Sequence, residues 1–155
     1  MFLSHNWGTA PAFANHAIVL GLHEQLVARG VKAWIDRDQL HGNVCDAMTK
    51  GIDSSRCVVV FLTKEYIDKV GKTTADNCKS EFLYAMKRRG VQSVLVVVLD
   101  SSCCDQSLWH GPVGFYLNHE LYLDLSAHPA DAHAGAAKIV TELHARGLVA
   151  TPPAP

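Results

Sequence analysis

The sequence predicts an α/β domain in which one parallel sheet is covered by helices on both faces. Short β-branched runs alternate with amphipathic stretches over the whole length, as strand–helix–strand units require. Two of the runs, "CVVVFLT" from Cys57 and "SVLVVVLD" from Ser93, are continuously apolar, the mark of central parallel strands buried on both faces. Basic residues followed by glycine at Arg29-Gly30, Arg89-Gly90 and Arg146-Gly147 are helix stop signals.

In chain order, the first strand is the short apolar Phe2 to Ser4, followed by a helix from about Phe13 to Arg29 that Gly30 ends. A second strand, Val31 to Asp36, leads through a polar loop into a helix at Val44 to Ser54. The apolar runs supply the third and fourth strands, Cys57 to Thr63 and Ser93 to Asp100. Between them the stretch after Thr63 reads as a long solvated loop, and a helix spans Cys78 to Arg89. The segment Ser101 to Asn118, with Trp109, Gly111-Pro112 and Gly114, reads as an irregular connection. A fifth strand, Glu120 to Leu125, and a last helix, His133 to Arg146, complete a domain over residues 1–149. The tail from Ala150, "ATPPAP", cannot pack as helix or central strand and reads as a disordered tail or linker.

At 155 residues the chain suits one domain with one core, without staples or metals. Fourteen Lys and Arg against fifteen Asp and Glu leave a net charge of −1, so nothing favours nucleic acid or an anionic membrane as partner. The longest apolar run, Val94 to Leu99, is far short of a membrane span. No secretory signal opens the sequence, and five cysteines, an odd number, read as reduced thiols of a cytoplasmic protein. Cys103-Cys104 with His110 does not match zinc spacings, and no metal is expected.

The stretch "DKVGKTTADNCKSEF" at residues 68–82 holds two candidate chemistries. Gly71-Lys72-Thr73 imitates the end of a phosphate loop, G-x-x-x-x-G-K-[ST], and "SVLVVVLD" imitates its magnesium-holding strand. Tyr66, however, stands where the first glycine belongs. Such a loop also turns directly from a strand into a helix, whereas the strand here ends near Thr63. The other candidate is Glu81. In an open parallel sheet, ligands bind beyond the carboxyl ends of the strands, and a helix that follows a strand begins on that edge. At 100° per residue Glu81 falls on the flank of the stripe Cys78, Phe82, Ala85 and Met86, neither fully buried nor fully solvated. The bland alternative is an acid in a first helical turn, favoured by the dipole alone.

Four motifs in this order resemble the Toll/interleukin-1 receptor (TIR) domain family: "FLSH", "RGVKAWIDRDQLHGN", "GIDSSRCVVVFLTKEYI" and "CKSEFLYAM". The resemblance implies a flavodoxin-like three-layer sandwich, a five-stranded parallel sheet in the order 2-1-3-4-5. Many members cleave NAD+ at the nicotinamide–ribose bond with a glutamate in the helix after the third strand, and Glu81 matches it. The products would be nicotinamide and ADP-ribose, or a cyclic ADP-ribose, in immune or cell-death signalling, with activation by self-association. No cofactor is implied, since NAD+ is the substrate. By the same resemblance His5, Asn6, Trp7 and Gly8, then Asp36, Asp38, Leu40, His41 and Gly42, line the dinucleotide site, with Asn77 beside them. Ser4 can serve ligand or backbone. Trp7 can stack on a base or pack its loop, and Trp34 reads as core.

Three departures stand out. Asn77 holds the position, four residues before Glu81, where enzymatic members often carry tryptophan. His5 and Asn6 replace basic residues that some active members place after the first strand. The loop "RDQLHGN" lacks the proline frequent in signalling members. The alternative function is a non-catalytic adaptor that works through contacts between TIR domains. A flavin binder using "SHNWGT" is a weaker reading, and a phosphoacceptor domain lacks the acidic residues that chemistry needs.

Overall fold

The structure, a computed structural model, describes residues 1–9, 13–36 and 44–150. Five parallel strands, β1 (Phe2–Ser4), β2 (Trp34–Ile35), β3 (Val58–Leu62), β4 (Val94–Val98) and β5 (Tyr122–Asp124), form one sheet in the order β2-β1-β3-β4-β5. This is the order expected, and all four pairings are parallel, with Ser4 opposite Val60 and Val60 opposite Val96. Six α-helices accompany the strands among the described residues: α1 (Ala14–Ala28), α2 (Val44–Asp53), α3 (Lys64–Gly71), α4 (Asn77–Arg89), α5 (Gly111–Leu117) and α6 (Ala132–Ala145).

Alternation along the central strands divides their side chains between two cores. Phe2, Val58, Val60, Val94 and Val96 point to one face and pack against Ile52 of α2, Tyr66 and Val70 of α3, Phe82 of α4 and Val113 of α5. Leu3, Val59, Phe61, Leu95 and Val97 point to the other, against Leu22 of α1 and Ile139 of α6. β3 and β4 are buried throughout, as their unbroken apolar runs require. Trp34 packs against the first of these cores, its ring stacked on Phe2 with centroids 4.8 Å apart. Among the described residues no helix is long and apolar enough to cross a membrane.

Several boundaries differ from expectation. β2 and β5 are edge strands, paired on one side only, and each is shorter than its apolar pattern suggests. The stretch after Thr63 is the helix α3, not a loop. Thr63 caps it by accepting a hydrogen bond from the Tyr66 amide, and Tyr66, Ile67 and Val70 form its buried stripe. Gly71-Lys72-Thr73 thus lies at a helix C-terminus, the wrong end for a phosphate. The connection from Ser101 to Asn118 contains two short 3-10 turns and α5, with Pro112 in the first turn of that helix, where its missing N–H is harmless.

Candidate active site

The chain leaves β1 for α1 on one face of the sheet and β3 for α3 on the other, so the reversal of strand order falls between these neighbours. That is the switch point at which an open α/β sheet holds its ligand. Ser4 ends β1 there, Asp36 follows β2, and α4 reaches the same edge with its N-terminal half. Asp76 caps α4 by accepting from the Cys78 amide at 2.8 Å. Because the helix begins at Asn77, Glu81 lies past the first turn, and that turn holds no acid. The dipole explanation for Glu81 therefore falls away.

Glu81 is also more deeply buried than its place on the helical flank predicts, at 7% exposure. Its Oε1 is fully enclosed and has no hydrogen-bond partner among the described residues. A buried, unpaired carboxylate is costly. Burial therefore pushes its pKa up to about 8, opposed by the Ser4 hydroxyl and reinforced by the charge of Asp36. Glu81 is largely protonated at pH 7 until something supplies positive charge.

His5, Trp7, Asp36, Met48, Asn77, Cys78 and Glu81 line one narrow cleft. The open space within it is about 20 Å3, room for one water. Among the described residues no cationic side chain lines it. His5 is buried, and burial followed by the charge of His16 lowers its pKa to about 3, so its ring is neutral. Cys78 is held as a thiol, pushed up to about 12 by burial and then by the charges of Glu81 and Asp76. The Cys78 thiol donates to the His5 carbonyl and is not a nucleophile in this state.

The loop after β1 is held from behind. The His5 and His16 rings share a hydrogen bond of 2.7 Å between Nε2 and Nδ1, and Trp7 lies flat on His16 with centroids 3.8 Å apart. Trp7 thus packs its loop against α1 while also forming part of the cleft wall. Asn6 is 1% exposed and does not line the cleft. Its Oδ1 accepts from Thr63 Oγ1 at 2.7 Å and from Asn15 Nδ2 at 3.0 Å, and its Nδ2 donates to Glu65 at 3.1 Å. It ties α1, β1 and the start of α3 together. Asn6→Ala removes these three side-chain hydrogen bonds from a buried position and is expected to destabilise the domain by about 1–3 kcal/mol, read as a lowered midpoint in denaturant unfolding.

Of the residues expected at the site, the structure brings Glu81, Asp36, Asn77, His5 and Trp7 to one cleft. Ser4 lies beneath it, fully buried, its Oγ 2.6 Å from the Tyr66 hydroxyl. Gly8 stands beside Trp7 with φ 87°, a left-handed conformation that suits glycine. Asp38, Leu40, His41 and Gly42 lie outside the described residues. Met48 and Cys78 were not expected as lining. Cys78 was within reach, since it precedes Glu81 by three residues on one helix face, whereas Met48 arrives from α2.

A buried carboxyl over the switch point of a parallel sheet in this order defines an open α/β domain with a cleft at its carboxyl edge. More specifically, the chain belongs to the TIR domain family, whose match covers residues 1–143. No curated protein and no solved structure matches it.

Proposed function

We propose that this TIR domain is an NAD+ glycohydrolase in which Glu81 is the catalytic carboxylate. The observation that carries the reading is the enclosed Glu81 carboxyl, its Oε1 without a hydrogen-bond partner among the described residues, in one cleft with Asp36, His5, Trp7 and Asn77. An enclosed carboxyl with a second acid beside it suits a cation. NAD+ offers one at the pyridinium, and as the N-glycosidic bond breaks, its electron pair moves to the ring nitrogen while positive charge passes to the ribose. Nicotinamide leaves neutral and needs no general acid. An ionised Glu81 facing the ribose stabilises the oxocarbenium-like cation, in the manner of glycosidase carboxylates. Water captures the cation to give ADP-ribose and a proton, or an adenine nitrogen captures it to give a cyclic product.

By this reading His5, Trp7, Asp36 and Asn77 contact the dinucleotide, and Asp38, Leu40, His41 and Gly42 complete its site. A cleft with room for one water must open to admit it. A partner that binds the open form better shifts the population toward activity, which is why we assign activation to self-association with other TIR domains. Phe115 and Leu121, 81% and 80% exposed, offer apolar surface for such contacts. The setting we propose is cytoplasmic, in immune or cell-death signalling. The second reading, a non-catalytic adaptor, is favoured by the closed cleft and by Asn77 in place of tryptophan.

Purified protein, concentrated to promote assembly and given NAD+, tests the choice by product identification: nicotinamide with ADP-ribose or its cyclic form supports the enzyme. Untouched NAD+ with retained TIR–TIR binding supports the adaptor. The pH dependence has a defined sign. Because the ionised form acts, kcat/KM rises with pH and levels off near the free-protein value of about 8, with roughly tenfold loss per unit below it. The bound pyridinium favours the carboxylate, so kcat inflects at lower pH than kcat/KM.

A further inference from the structure

The edge of the sheet opposite Glu81 carries a second, larger cavity. A groove of about 590 Å3 lies among the turn after α1, the turn between α2 and β3, and the C-terminal end of α6. That volume suits a nucleotide-sized ligand. Lys32 enters the groove shortly before β2, Arg56 shortly before β3, and His144 from the last turn of α6. Among the described residues no acidic side chain lines it. Two acids stand within two residues of its lining in sequence, and both are engaged: Asp53 accepts from Arg88 and Tyr84, and Glu142 accepts from Arg146. The groove therefore gathers positive charge in a chain whose net charge is −1, and a concave surface lined by one sign of charge focuses its field on counter-ions.

Helix dipoles account for part of this charge. Arg29 and His144 lie at the ends of α1 and α6, where cations are favoured without any ligand, and the Arg29 guanidinium donates to Gln25 and to the His133 carbonyl. Lys32 and Arg56 lie outside the helices, where that effect has fallen off. Both are exposed, and among the described residues neither side chain makes a hydrogen bond or ion pair. Much of the remaining wall is apolar, with Val140, Leu148 and Val149 packed against the second core and only partly buried by it. We propose that this groove binds a nucleotide-sized phosphate ester. Lys32 and Arg56 hold the phosphate, and the three apolar side chains take the flat body of the ligand. Two cations with no other partner match a phosphate dianion, and the planar fork of Arg56 offers it paired hydrogen bonds. The groove lies at the amino edge of the sheet and the Glu81 cleft at the carboxyl edge, so this assignment stands apart from the enzymatic reading.

The test titrates the full chain, isotope-labelled for NMR and free of NAD+, with AMP, adenosine and inorganic phosphate. AMP should shift the backbone amides of Val31, Lys32, Arg56 and Leu148 and leave those of Asn77 to Glu81 in place. Adenosine lacks the charge and inorganic phosphate lacks the apolar body, so each should bind at least about tenfold more weakly than AMP. Lys32→Ala and Arg56→Ala should each weaken AMP about tenfold, and added salt should weaken it in the wild type. Shifts centred on Asn77 to Glu81, or none at millimolar AMP, overturn the proposal. So does AMP binding that neither variant weakens. Adenosine binding as tightly as AMP removes the role of the two cations, and inorganic phosphate binding as tightly removes that of the apolar wall; either result overturns the assignment. Should a variant fail to fold, the adenosine comparison and the salt dependence in wild type decide alone. Nicotinamide release enters none of these arms, so the failure of either reading leaves the other standing.

Discussion

Glu81→Gln is expected to raise the stability of the domain at pH 8 by on the order of 4 kcal/mol, or a melting temperature higher by roughly 10 °C. Burial lifts the carboxyl from its ordinary value of 4.5 to about 8 in the folded protein. Between those values the folded state holds a proton that the unfolded state has released, so stability falls as pH rises across that window. Below about pH 4.5 both states are protonated and the term vanishes. Glutamine is neutral at every pH and of nearly the same shape. Its advantage should therefore be largest at pH 8 and fade toward pH 4.5. Thermal melts of both proteins across that range check the sign, and a constant difference, or a wild type more stable at pH 8, contradicts it.

The same substitution is expected to lower nicotinamide release by about 10²–10³-fold, the usual effect of removing one preorganised electrostatic group from a transition state. The loss should lie in kcat, because charge develops on the ribose only as the bond breaks. Glu81→Ala should lose at least as much. Gain of stability together with loss of turnover would mark Glu81 as a group held in an unfavourable environment because its chemistry needs it there. An adaptor domain has no use for that cost.

The central strands and the long helices were legible because burial on both faces, or on one stripe, writes a periodic pattern into local sequence. The short helices were not. α3 has eight residues, and its stripe Tyr66, Ile67, Val70 is interrupted by charges and followed by the misleading "GKTT". α5 has seven residues with two glycines and a proline. Edge strands β2 and β5 fall short of their apolar runs because pairing on one side, not propensity, decides where they stop.

At the site, the position of Glu81 on the carboxyl edge of the sheet followed from topology, and the role proposed for it came by resemblance. Its burial could not be read from α4 alone, since the enclosing groups come from Ser4 at the end of β1, His5 just after it and Asp36 beyond β2. The fixing of Asn6 by Thr63, Glu65 and Asn15, and of Trp7 by His16, depends likewise on residues distant in sequence. These contacts hold Trp7 in the cleft wall and Asn6 behind it.

The most direct test of the central claim is nicotinamide release by wild type and Glu81→Gln, assayed side by side at pH 8 on concentrated, demonstrably assembled protein. Because Glu81→Gln is expected to be the more stable of the two, unfolding cannot explain a loss. Release by wild type and its near-absence in Glu81→Gln is the predicted result. Equal release by both, or none by an assembled wild type, would contradict a catalytic Glu81.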